Sequence, residues 1–198
     1  AKINTATKTV GFLLMNMNEE YGGPVSNTKV QQAIRKALDY TGIQTIVGEG
    51  AETPYSIIQD GFMGAKGQRP ADYTNIDEAK QLLADAGYPD GFDIDMPVCD
   101  LDMEGVLLTD LAQKVKDDLS QIGINVNIVC PLAWTAQLEN FEKAYPEAFK
   151  ANVKMPPAGH YGDVEKEIGR VCVQLASPDF KYMNGETLTL EGGMGQRP

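Results

Sequence analysis

The chain has 198 residues, 42% of them hydrophobic and 23% charged, which suits a globular protein of one domain or two small ones with a real core. Its net charge of -11 opposes nucleic acid and anionic membrane surfaces, and no apolar run approaches the ~20 residues that span a bilayer. Neither nucleic acid binding nor membrane insertion is therefore expected. With one histidine (His160) and three cysteines (Cys99, Cys130, Cys172) in no CxxC spacing, no metal site and no cofactor are expected either. The opening AKINTATKTV has neither a signal-peptide core nor a methionine and reads as a processed or trimmed end.

TVGFLLMN, residues 9–16, is apolar enough for a buried strand. SNTKVQQAIRKALDYTG predicts one helix, capped by Ser26 or Asn27 and ended by Gly42, with Val30, Ala33, Ile34, Ala37 and Leu38 on one face. Residues 48–73 carry Gly and Pro throughout and read as a long connection. A short helix follows on Ala79, Leu82, Leu83 and Ala86, stopped by Gly87 and Pro89. FDIDMPVC alternates as a strand, VLLTDLAQKVKDDLSQIG as a helix with Leu108, Leu111, Val115, Leu119 and Ile122 in its stripe, and INVNIVC as a second strand. Together, at about 92–130, they predict a βαβ unit with parallel strands. Beyond Trp134 comes a helical stretch interrupted by Pro146. Then follow a turn-rich joint, a helix with Ile168, Val171, Cys172 and Leu175 inward, and a final strand, ETLTLEGG.

Two resemblances emerge. In residues 10–137, Val30, Gln32, Ala33, Ile34, Ala37 and Asp39 follow a strand-helix block. Residues 73–98 carry a YTNIDEAKQLLADAG block, and LAQKVKDDLSQIGINVNIVCPLAW brings Trp134 into an aromatic place. In that order these blocks resemble the C-terminal lobe of family 5 extracellular solute-binding proteins of ABC importers. Residues 141–198 carry Gly162, Glu167, Ile168, Leu175, Ala176, Ser177, Tyr182, Gly185, Gly192 and Gly193, with Glu191 where aspartate is usual. They resemble the end of classical short-chain dehydrogenases. The expected fold is α/β: a mixed sheet with the βαβ unit covered by helices and closed by a C-terminal helix and strand of Rossmann type. The expected segments are 1–137 and 138–198, packed into one domain with ETLTLE joining the sheet of the first part.

The first resemblance implies a fragment of a periplasmic or extracellular binding protein, with a small solute or peptide as ligand and an importer permease as partner. The cleft-wall loop is VCDLDMEG, at the carboxyl end of a parallel strand, where α/β sheets place ligands. Candidate ligand-binding residues are Asp100, Asp102, Met103 and Trp134. The acids suit a peptide amino terminus, or else simply solvate a loop ahead of a helix. Trp134 reads equally as a packing residue. Asp100, Asp102, Glu104 and Gly105 imitate half of a calcium loop, but Leu111 stands where its twelfth-position glutamate belongs. Cys99 and Cys130 end the two predicted strands and allow a disulfide in an oxidising compartment. GEGAET opens no helix, and Tyr145 and Tyr161 have lysines (Lys150, Lys166) five residues on, not four. A non-catalytic tail, and no enzyme, is expected. The alternatives are a structural chimeric domain without a ligand and an oxidoreductase fragment. An orphaned dehydrogenase end also allows a homodimer.

Overall fold

In a computed structural model, which describes residues 11–58, 62–70, 73–99, 102–103, 105–180 and 182–194, the long helix expected from Ser26 to Gly42 is broken in two. A short α1 (Glu19–Gly22) and a 3-10 turn (Gly23–Ser26) lead to α2 (Thr28–Ala37) and then α3 (Tyr40–Val47). Asn27 caps α2, its side chain accepting from the Lys29 amide at 2.9 Å. Leu38 then turns extended, and Asp39 caps again by accepting from the Gly42 amide at 2.9 Å. Gly42 therefore sits in the first turn of a helix rather than past the end of one. A short carboxylate that satisfies a backbone donor starts a helix wherever the chain lets it.

The chain forms two compact units, Ala1–Phe92 with Asp117–Ile124, and Asp93–Lys116 with Asn125–Pro198. In the first, Val30, Ala33, Ile34 and Ala37 of α2 pack on Ala79 and Leu83 of α4 (Ile76–Asp85), all buried. The alanines let the helices approach, while Val30, Ile34 and Leu83 each contribute ~1.5–3 kcal/mol of burial. Asn75 caps α4, accepting from the Glu78 amide at 3.0 Å, with Asp77 and Glu78 complementing the helix dipole. The buried Asp118 carboxylate accepts from the Asp39 amide at 3.0 Å, tying residues 117–124 to the junction of α2 and α3.

The buried strand expected at residues 9–16 is corrected where it is described. Residues 11–16 adopt no strand, and Phe12 and Leu14 are 60% and 86% exposed. Among the described residues no strand pairs with them, and an unpaired apolar segment has no ladder to hold it.

In the second unit, β1 (Phe92–Pro97) leads to a hairpin of β2 (Asp102–Met103) and β3 (Val106–Leu107), then to α5 (Leu108–Ser120) and β4 (Ile124–Pro131). The main sheet has the order β1-β4-β7, with β7 at Thr187–Leu190. Phe92 donates to Gly123 O and Val98 to Val129 O, so β1 and β4 advance together and are parallel. β7 is parallel to β4 in the register Ile128↔Thr187 to Pro131↔Leu190. The tail thus closes the sheet as expected. β4 is buried along nearly its whole length, as a central parallel strand should be.

Between β4 and β7 lie β5 (Ala133–Trp134), α6 (Ala136–Ala144), α7 (Pro146–Asn152) and β6 (Gly162–Asp163), the last parallel to β5. Pro146 opens α7, a position that needs no amide hydrogen. A π-helical stretch (Val164–Gly169) precedes α8 (Arg170–Leu175). The stripe expected here faces inward: Ile168, Val171, Cys172 and Leu175 are half-buried, while Arg170, Val173 and Gln174 between them are exposed.

Candidate ligand-binding site

The loop after β1 folds back as a hairpin. Asp102 pairs with Leu107 and Met103 with Val106. Gly105 takes φ +91° at the turn, a conformation glycine adopts without strain, and its amide donates to Asp102 Oδ1 at 2.6 Å. Asp102 is exposed and Met103 half-buried, so one carboxylate oxygen shapes the turn at the carboxyl end of β1. Asp100 and Glu104 lie outside the described residues.

Trp134 is half-buried, and its ring meets those of Phe149 and Tyr161 edge-on, each at 6.0 Å. These contacts are those of a packing residue; no hydrogen bond or ring contact among the described residues joins it to Asp102 or Met103. Elsewhere, Tyr40, Tyr55 and Tyr73 surround the Arg69 guanidinium at 4.9, 5.5 and 4.2 Å.

The disulfide considered for Cys99 and Cys130 is not formed. Asn125 donates to Asp93 at 2.8 Å and Asn127 to Asp95 at 3.2 Å, which places the odd-numbered residues of β1 and β4 on one face. By that alternation Cys99, which is exposed, and Cys130, which is buried, point to opposite faces.

One constellation was not foreseen from sequence. His160 Nε2 lies 3.0 Å from both carboxylate oxygens of Glu167, and Glu167 Oε2 also accepts from the Asp163 amide at 2.8 Å. The bond to Glu167 pushes the imidazole above its ordinary pKa. The Asp163 amide, and then His160, hold the Glu167 carboxyl below its own. Asp163 is held low by the amides of Lys166 and Glu165, which it caps. Only the turn through β6 brings His160 and Glu167 together, so spacing carried no signal beyond the cap-forming Asp163.

The family model for "Bacterial extracellular solute-binding proteins, family 5 Middle" matches residues 2–162. The chain belongs to this family. Heme-binding protein A of Haemophilus influenzae is 33% identical over 124 residues, 61% of this chain and 22% of that protein. A dipeptide binding protein from Pseudoalteromonas, solved in complex with Met-Leu, is 28% identical with a TM-score of 0.50, covering 62% of this chain and 24% of that one. A second likeness is to a short-chain dehydrogenase: the 12alpha-hydroxysteroid dehydrogenase of a Clostridium species is 73% identical over 75 residues, 38% of this chain and 29% of that enzyme. The chain thus spans less than a third of these relatives' lengths. Residues 163–198 are too few to hold a 75-residue match, so the dehydrogenase likeness reaches into the segment that also fits the solute-binding family. The expectation that the chain is no enzyme is overturned by this match, which points to an oxidoreductase.

Proposed function

We propose that the solute-binding portion retains a ligand wall at the carboxyl end of β1, where the β2–β3 hairpin presents Asp102 and Met103. The supporting observation is the position of that hairpin beyond a parallel strand of a family 5 lobe, where open α/β sheets place ligands. The ligand class is a peptide or similar solute whose amino terminus the carboxylates accept. In this reading the chain acts outside the cytoplasm, with an importer permease as its partner. Calorimetric titration with Met-Leu should give heat that Asp102→Ala or Asp100→Ala reduces about tenfold in affinity, the loss of one charge-assisted hydrogen bond. No heat from the unaltered chain removes the reading.

A second reading rests on the 73% match: the C-terminal portion is a piece of an oxidoreductase acting on a hydroxysteroid-like alcohol. The block from Gly159 to Gly195 carries the dehydrogenase motifs, and a gapless 75-residue match containing all of it would begin between Gln121 and Ile124. In this reading β4 and β7 descend together from the dehydrogenase, and the two parents join at Gly123 rather than near residue 137. NAD or NADP in the same calorimeter tests it: binding supports the reading, and its absence counts against it.

A further inference from the structure

The loop before β6 and the turn after β7 touch each other. Ala158 donates to Gly192 O at 2.9 Å, and a Cβ on Gly192 would lie 3.0 Å from that of Ala158 and 3.3 Å from Pro156. Beside this contact is a cavity of about 170 Å³ walled by His160, Glu167, Ile168, Leu190 and Gly192. His160 faces an acceptor with each ring nitrogen: Nδ1 lies 3.3 Å from Ala158 O, and Nε2 faces the Glu167 carboxylate. A neutral imidazole carries one N–H and must set a lone pair against one of the two acceptors. The imidazolium donates to both. We propose that His160 and Glu167 form a proton-operated latch that holds the loop 156–160 on the π-helix Val164–Gly169, beside the turn Glu191–Met194.

The charged surroundings favour the closed form at mildly acidic pH. Glu167 faces the ring from the π-helix, and Asp163 stands at that helix's cap with Lys166 and Arg170 acting on it. Glu191, buried, precedes the turn itself. The raised imidazole pKa gives stability that is full below the ordinary 6.5 and lost as pH rises through the higher folded value. The lowered Glu167 pKa gives stability present above the ordinary 4.5 and lost as pH falls through the lower folded value. The latch is therefore tightest between about 4.5 and 6.5 and opens on the alkaline side.

Two single residues make the test direct. His160 is the sole histidine, so its ring resonances titrate without overlap, and Trp134 is the sole tryptophan. Trp134 packs on Tyr161, the neighbour of His160, and pairs with Asp163 in the β5–β6 ladder. The imidazole should titrate with a midpoint above 6.5, and Trp134 emission should change with the same midpoint. Glu167→Gln should return the imidazole to its ordinary midpoint and flatten the emission curve. An imidazole midpoint at or below 6.5, or Trp134 emission that stays constant through the titration, overturns the latch. Both readings come from the unaltered chain and survive a variant that fails to fold.

Discussion

Gly91 and Gly123 meet where β1 and β4 begin. Gly91 has φ +79°, and a Cβ there would fall 1.9 Å from Gly123 O, with Phe92 donating to that same oxygen at 3.2 Å. Gly91→Ala therefore carries two costs: the left-handed backbone, about 1–3 kcal/mol for a non-glycine residue, and displacement of the β4 entry. Gly67, at φ +77° with nothing within 4 Å of its Cβ position, isolates the first cost. Denaturant unfolding should show Gly91→Ala losing clearly more than Gly67→Ala; equal losses would mean the contact is slack. Their contact was not legible in the sequence, because nothing local in either segment encodes the approach of the other. The same holds for Asp118, which the sequence offers as part of a solvated QKVKDD face. It is 1% exposed because the break between α2 and α3 supplies it with an amide donor.

Elements with a clean period were readable and those with a changed period were not. β1, α4, α5 and β4 follow alternation or a helical stripe and appear where expected, though α5 starts after Val106–Leu107, which pair as a strand, and ends at Ser120, three residues before Gly123. The segment ending at Asn16 failed for a different reason: its apolar residues fit a strand, but a strand needs a neighbour. The helix after β6 was expected as one α-helix, but its first part is π-helical, which no side-chain pattern announced. The contrast can be measured. Ile128, in β4 opposite Thr187, is 1% exposed, and Ile128→Ala should cost about 2–5 kcal/mol from lost burial and the cavity left behind. Val173 on α8 is 69% exposed, and Val173→Ala should stay within about 0.5 kcal/mol. Equal effects would mean that α8 buries far more than its exposure indicates.

At the scale of the whole molecule, a chain of the solute-binding family also carries a likeness to a dehydrogenase, and it spans less than a third of heme-binding protein A and of the 12alpha-hydroxysteroid dehydrogenase alike. The parallel pairing of β1 with β4 was legible because strand, helix and strand in succession call for a crossover between parallel neighbours. The ancestry of INVNIVC was not, because a buried alternating strand after an amphipathic helix suits both families, and burial does not record ancestry. What holds the tail is the ladder from Ile128↔Thr187 to Pro131↔Leu190, continued by Leu132 donating to Leu190 O at 3.0 Å and anchored by the Lys116 ammonium on Gly185 O. Removing residues 160–198 strips β4 of this partner and leaves its edge amides and the side chains of Ile128 and Cys130 facing water. An exposed, apolar edge of that kind recruits other chains, and the stability at stake is a large part of the ~5–15 kcal/mol that a domain possesses. The truncated protein should lose its cooperative thermal transition, bind hydrophobic dye and aggregate on concentration, whereas the full chain should melt in a single sharp step. If the truncated form melts as cooperatively as the full chain, β7 is an ornament on a sheet that the solute-binding portion completes by itself.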